Sequence, residues 1–336
     1  MMPYCSIFRL KRATPSEKLN EMEDLRIAKQ DMPHVAPETT GQPARAEAYV
    51  AIITCFNRDD TINYSAVRNQ VRRQISFGNN ILVGDTQGDF TCLTHAEKVR
   101  LCAEIVEEAD GRVKVLANIG MPSTYQSILV GKDISGLGVD GATVLAPYFA
   151  DCPDEDVFLH YSKVADSLQM PIYLYNAPAI TMRPLSAEVV GQLASHSNIK
   201  GIKDNSTDGA RMRAYLDIAA DNADFVHYVG TDSLICEALS HGAAGCMSDL
   251  GNILPRTLNN LCLTFANGSS KEALKWQSLL SELRADLLAL GPMALWVKQL
   301  LYLMDNSVGL GRQPFPRPNS AQEEALCAIV EKYQIV

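Results

Sequence analysis

Three residues stand out for the chemistry their types allow, and each closes or follows a short apolar run. Lys203 ends Ile199-Lys200-Gly201-Ile202-Lys203, Tyr175 ends Pro171-Ile172-Tyr173-Leu174-Tyr175, and Thr86 follows Ile81-Leu82-Val83 within Gly84-Asp85-Thr86-Gln87-Gly88-Asp89. A lysine where a strand leaves a core is costly, by several kcal/mol, unless its ammonium is paired or gives up its proton. The free amine is a nucleophile that forms a Schiff base with a ketone. A tyrosine hydroxyl at the same level can shuttle a proton. Small, flexible residues around Thr86 free backbone N–H groups and a hydroxyl to hold a carboxylate. Each also has an ordinary alternative: a snorkelling surface lysine, a packed aromatic and a tight turn.

The elements that must position these residues follow a regular rhythm. Apolar runs at Tyr49–Thr54, Ile81–Val83, Val113–Ala117, Ala142–Leu145, Pro171–Tyr175, Ile199–Lys203, Phe225–Val229 and Gly245–Ser248 predict eight strands. Between them lie helical patterns. Tyr64, Val67, Val71 and Ile75 recur at helical spacing with Gly78 as a stop; Thr94-His95-Ala96-Glu97 is a capping box; another helix starts near Ser123; and Phe158, Tyr161, Val164, Ala165 and Leu168 share a face. The strands are continuous apolar runs, as parallel strands covered on both faces require. The pattern predicts an α/β fold, a (β/α)8 TIM barrel over residues 48–257, with sites at the C-terminal strand ends. Residues 258–336 read as a C-terminal helical region, with Leu279, Leu280, Leu283, Leu287, Leu288 and Leu290 as one apolar series and Trp296, Leu300, Leu301 and Leu303 as another. Residues 1–47, rich in Glu, Lys, Pro and Thr, read as a flexible extension. Arg9, Lys11 and Arg12 hint at organelle targeting, against which stand Glu17, Glu21, Glu23 and Asp24.

Composition narrows the function classes. The 336 residues are 47% hydrophobic and 21% charged, with a formal charge of −9. That balance attracts neither nucleic acid nor an anionic membrane, and no apolar run reaches the length of a membrane span. The nine cysteines are scattered without a Cys-x-x-Cys, which fits reduced thiols in the cytoplasm. The six histidines form no close pair, so no metal site is expected. Gly136-Leu137-Gly138-Val139-Asp140-Gly141 has the spacing of a dinucleotide fingerprint, but it follows a helix and precedes a strand, the reverse of the required order, and reads as a connecting loop.

Taken together, the strand-end segments resemble the dihydrodipicolinate synthase/N-acetylneuraminate lyase family. The resemblance is carried by Gly84-x-Thr86-x-Gly88-Asp89, Tyr175-Asn176-x-Pro178, Gly201-Ile202-Lys203-Asp204, and Val229-Gly230-Thr231-Asp232 followed by Gly242-Ala243-Ala244-Gly245-Cys246-Met247-Ser248 and Asn252. It implies a class I pyruvate-type aldolase or dehydratase, metal-independent and without a cofactor, forming homotetramers or homodimers. Lys203 would form the Schiff base with a 2-keto acid. Tyr175 would be the acid/base, while Thr86, Gln87 and Met247 would hold the substrate. Asp89, Tyr148, Phe149, Ile180 and Asp232 are further site candidates.

The departures from the family pattern bear on the reaction. Asp85 replaces the first glycine of Gly-Thr-Thr-Gly-Glu, which would bend the loop differently, and Gln87 replaces a hydroxyl. Phe149 stands where many members have the tyrosine that completes a proton relay across a subunit interface, leaving water or Tyr148 as substitutes. Ile180 stands where the lysine-pathway synthases carry an arginine for the second substrate's carboxylate, which argues against aspartate semialdehyde. Asp232-Ser233 replaces the Asp-Glu of the sialic acid lyases. The expected reaction is cleavage or condensation of pyruvate with another aldehyde, of the 2-keto-3-deoxy sugar acid or 4-hydroxy-2-oxo acid type. A Schiff-base dehydratase of a sugar acid and a non-catalytic keto-acid binder are the alternatives.

Overall fold

The computed structural model describes residues 46–315 and 317–335. The expected extension, with its hint of targeting, lies outside the described residues but for its last two positions. The strands are β1 (Glu47–Ala51), β2 (Asn80–Val83), β3 (Val115–Asn118), β4 (Gly141–Leu145), β5 (Ile172–Asn176), β6 (Ile199–Asp204), β7 (Val226–Val229) and β8 (Gly245–Ser248). They form one closed barrel in sequence order, every pair parallel, with β1 returning to β8. The chain is a (β/α)8 barrel.

The eight main helices between and after the strands are α1 (Tyr64–Ser76), α2 (His95–Ala109), α3 (Thr124–Ser135), α4 (Asp154–Ser167), α5 (Ala187–Ala194), α6 (Gly209–Asp221), α7 (Ile235–Ser240) and α8 (Pro255–Ala266), and a single helical turn, Pro178–Thr181, follows β5. The Thr94 hydroxyl accepts from the Glu97 N–H and the Glu97 carboxylate from the Thr94 N–H, the capping box read in the sequence. Helix α3 ends at Ser135 and β4 opens at Gly141, so the glycine-rich Gly136–Gly141 segment is indeed an αβ loop.

Most strand ends fall within two residues of those read in the sequence, and two boundaries differ in ways that matter. The eighth barrel helix, α8, runs to Ala266, so the barrel extends beyond residue 257 and the helical appendage begins with α9 (Ser270–Ala289), α10 (Met293–Met304) and α11 (Ser320–Lys332). Strand β1 starts at Glu47 and ends at Ala51, earlier than the apolar run. Glu47 is polar and carries no apolar signal, yet its carboxylate accepts from Tyr228 Oη at 2.5 Å and pairs with Lys114 at 2.6 Å at the barrel's lower rim. Beyond Ile52 the chain turns to loop partners: Ile53 N–H donates to Asn252 Oδ1 at 3.2 Å and the Thr54 hydroxyl to the Gly88 carbonyl at 2.7 Å.

The main apolar core lies between the sheet and its helices. A second, smaller layer fills the barrel interior with Tyr49, Ala51, Leu82, Leu116, Tyr228 and Met247. The leucine series of α9 divides: Leu280, Leu283 and Leu287 are buried, whereas Leu288 is exposed, because one face of a straight helix cannot hold both members of an adjacent pair. No single described helix is long and apolar enough to cross a membrane.

Candidate active site

The site forms where β2, β5, β6, β7 and β8 end together. Parallel register sets Tyr175 of β5 opposite Lys203 of β6, and Lys203 opposite Tyr228 of β7. Lys203 is fully buried, and its Nζ sits 4.1 Å from the centre of the Tyr175 ring. A cation over an aromatic face is favourable, but a buried ammonium also needs an anion. That anion is Asp85, equally buried, whose Oδ2 accepts from Lys203 Nζ.

The loop after β2 supplies Asp85 and its neighbours. Asp85 is on ordinary extended backbone (φ −90°, ψ −169°), and Thr86–Gly88 make one 3₁₀ turn. The bends fall at Gly84 (φ 70°) and at Asp89 (φ 51°). Asp85 itself makes no bend: the glycine before it and the left-handed Asp89 turn the chain. The turn uses the N–H groups of Gly88 and Asp89; those of Thr86 and Gln87 have no acceptor among the described residues.

Tyr175 Oη is hydrogen-bonded to Thr86 Oγ1 at 3.2 Å and accepts from Asn205 Nδ2 at 3.3 Å. Burial, and then the charge of Asp85, push the Tyr175 hydroxyl well above its ordinary range, so it rests protonated. Gly230, after β7, lets Asn205 approach: a Cβ there would lie 1.7 Å from Asn205 Oδ1 and 3.2 Å from Lys203 Cε.

Several buried polar atoms here lack partners. Among the described residues, both amide atoms of Gln87, Asn205 Oδ1 and Asp249 Oδ1 make no hydrogen bond of ordinary geometry, although the Gln87 amide faces Asp249. Buried polar groups are rarely left so, and several around one lysine mark a place that a polar ligand completes. Burial pushes the Asp249 carboxyl up to about 7, against the opposing pull of Lys203.

The remaining sequence candidates have varied surroundings. Asp89 is buried in an ion pair with Lys298 of α10, so its carboxylate is engaged away from Lys203. Asp232 is buried, accepting from the Ser248 hydroxyl and, at 3.3 Å, from the Leu250 N–H. Met247 belongs to the apolar layer inside the barrel. Tyr148 and Ile180 pack against Phe90, Leu145, Tyr175 and Ala177. Phe149 is exposed on a left-handed backbone (φ 81°), a conformation that costs a bulky residue energy. Asp249 and Asn205 were not singled out in the sequence, although both lie just past strand ends, where the barrel fold directs attention.

A model described as "Dihydrodipicolinate synthetase family" matches residues 45–333. The chain belongs to this family. It is 34% identical over 276 residues to 4-hydroxy-tetrahydrodipicolinate synthase 1 of Halalkalibacterium halodurans, covering 82% of this chain and 92% of that one. Among solved structures it resembles dihydrodipicolinate synthase DapA-2 of Bacillus anthracis, at 29% identity and a TM-score of 0.80, with 85% of this chain and 97% of that one covered. The chloride-inhibited dihydrodipicolinate synthase of Acinetobacter baumannii, complexed with pyruvate, is similar at 28% identity and a TM-score of 0.81, covering 87% and 99%. The family works through a lysine Schiff base with pyruvate and needs no cofactor. Membership supports an enzyme of the lyase kind and a class I aldolase.

Proposed function

We propose that the protein is a Schiff-base aldolase that cleaves or condenses pyruvate with an aldehyde, of the 2-keto-3-deoxy sugar acid or 4-hydroxy-2-oxo acid type. The observation that carries this reading is the fully buried Lys203 at the end of β6, with Tyr175 against it and unpartnered polar atoms around it. Lys203 adds to the keto group, and the resulting iminium accepts the electron pair when the C3–C4 bond breaks. Tyr175, protonated and bonded to Thr86, gives or takes the proton at the aldehyde oxygen. The unpartnered N–H groups of Thr86 and Gln87 hold the keto-acid carboxylate.

Aspartate semialdehyde is disfavoured as the second substrate. Ile180 lies in an apolar cluster, and the nearby Arg183 is engaged with Asp154 and the Cys152 carbonyl. One observation favours a second reading. Asp249, with its carboxyl pushed up to about 7, is suited to protonate a leaving hydroxyl, as a dehydratase of a sugar acid requires. Like the rest of the family's chemistry, either reaction begins on the lysine.

The test is reduction with borohydride in the presence of pyruvate, followed by mass spectrometry. The expected adduct is on Lys203; its absence there, or its persistence in Lys203→Ala, overturns the mechanism. Candidate 2-keto-3-deoxy acids then separate the two reactions, because an aldolase releases pyruvate and a dehydratase does not.

A further inference from the structure

The ion pair at the centre of the site involves a residue that the resemblance does not account for, since Asp85 stands where the family usually has glycine. Both partners are fully buried, and the extended backbone of Asp85 presents its carboxylate without strain. The hydrogen bonds around it run in one direction. The Asn205 amide donates to Tyr175 Oη at 3.3 Å. The Tyr175 hydroxyl then donates to Thr86 Oγ1 at 3.2 Å, because the Thr86 hydroxyl donates onward to Asp85 Oδ1 at 3.3 Å. Asp85 Oδ2 is left for Lys203. The chain of donors therefore ends on Asp85 and does not call on the exposed Phe149.

We propose that Asp85 is the fixed counter-ion of Lys203 and the proton carrier for its addition to a carbonyl, a role that rests on the Schiff-base reading above. In the resting pair Lys203 is an ammonium and Asp85 a carboxylate. The ammonium passes one proton to Asp85, and the free amine adds to the carbonyl carbon. A C–N bond forms and the C=O π pair moves to oxygen, which takes the proton from Asp85. The nitrogen then returns a second proton to Asp85, giving a neutral carbinolamine. That proton goes to the hydroxyl, which leaves as water while the nitrogen lone pair forms the C=N bond. The sum is ammonium plus ketone to iminium plus water, and Asp85 is a carboxylate at both ends.

The iminium keeps its positive charge in a dry site and draws electrons only while protonated. A carboxylate in contact raises the pH at which it loses that proton by roughly 1–3 units. The other ionisable groups facing the lysine are less suited. Tyr175 of β5 and Asp249 after β8 are both pushed up by burial, toward their neutral forms. Asp232 after β7 is also raised by burial and is bonded to Ser248 and the Leu250 N–H.

The test compares the full-length protein with Asp85→Asn, Asp85→Gly and Asp85→Glu. Each is equilibrated with pyruvate from about pH 6 to about pH 9, given a short borohydride pulse, and the Lys203 adduct is quantified by mass spectrometry. The parent is expected to hold a level yield. In Asp85→Asn and Asp85→Gly the midpoint of the curve moves roughly 1–3 pH units lower, with about tenfold less adduct at the alkaline end and recovery at the acidic end. Asp85→Glu keeps much of the parent profile. Asp85→Gly, with the family's usual residue, carries the test if Asp85→Asn does not fold. Parent-like curves in the Asn and Gly variants, or a Glu variant as impaired as they are, overturn the counter-ion role and leave the Schiff base standing. A parent protein that forms no Lys203 adduct overturns both.

Discussion

Two buried lysines in this barrel each face a buried aspartate, and each sits over an aromatic ring. Lys203 pairs with Asp85 and lies 4.1 Å from the Tyr175 ring centre; Lys298 pairs with Asp89 and lies 4.8 Å from that of Phe56. The first and last residues of one short loop, Asp85 to Asp89, hold the two carboxylates. The surroundings separate them. Around Lys203 stand Gln87, Asn205 and Asp249 with polar atoms awaiting a partner, whereas Phe56, Cys55 and Arg312, which face Lys298 and Asp89, leave no buried polar nitrogen or oxygen unpartnered among the described residues. Burial raises the Asp89 carboxyl and lowers the Lys298 ammonium, and the attraction between them opposes both. A buried ion pair thus indicates function through the unsatisfied groups beside it, while a closed one fastens two elements together.

The comparison can be broken at either pair. Lys203→Ala should lower turnover by on the order of 10³-fold or more, since under the proposed mechanism it removes the reacting atom; steady-state kinetics on a 2-keto-3-deoxy acid that the parent turns over would check this. Lys298→Met should instead cost about 3–5 kcal/mol of stability by stranding Asp89, as read by urea unfolding, with the folded fraction still forming the pyruvate adduct. A Lys298→Met variant as stable as the parent would show that the second pair fastens nothing. The double variant Lys298→Met/Asp89→Leu should recover most of that loss, because an apolar replacement leaves no stranded charge.

A smaller effect concerns Asp249. Its carboxyl is raised to about 7 in the folded protein, against roughly 4 in an unfolded chain. The folded state therefore binds the proton more tightly, and the stability this confers is full below about pH 4 and lost as pH rises toward about 7. Asp249→Asn should remove that slope and leave the variant more stable than the parent above neutrality, by about 1–3 kcal/mol. Thermal midpoints measured across this range would show it; parallel curves for the two proteins would rule it out.

Much of this was visible in the sequence, for reasons that also mark its limits. Parallel barrel strands are covered on both faces, so all eight appear as apolar runs, and the lysine ending the sixth stands out against them. Glu47 escaped because a rim residue is held by Tyr228 and Lys114 rather than by apolar contacts. Lys298 escaped because it lies within the apolar stretch of α10, and its partner is 209 residues earlier. Asp85 is legible as a departure from the family pattern, but only the folded chain, bringing it 118 residues to Lys203, shows what it meets. Phe149 illustrates the opposite case: its chemistry was legible as a missing hydroxyl, while its exposure and left-handed backbone were not.

The Lys298–Asp89 contact also orders events during synthesis. A ribosome has delivered every barrel strand once Ser248 emerges, yet the cation that grips the loop after β2 comes 50 residues later, on α10. A nascent chain can thus close its barrel while that loop still lacks its fastening. Lys203 is delivered first, and the loop that faces it is secured by a residue 95 positions later in the chain.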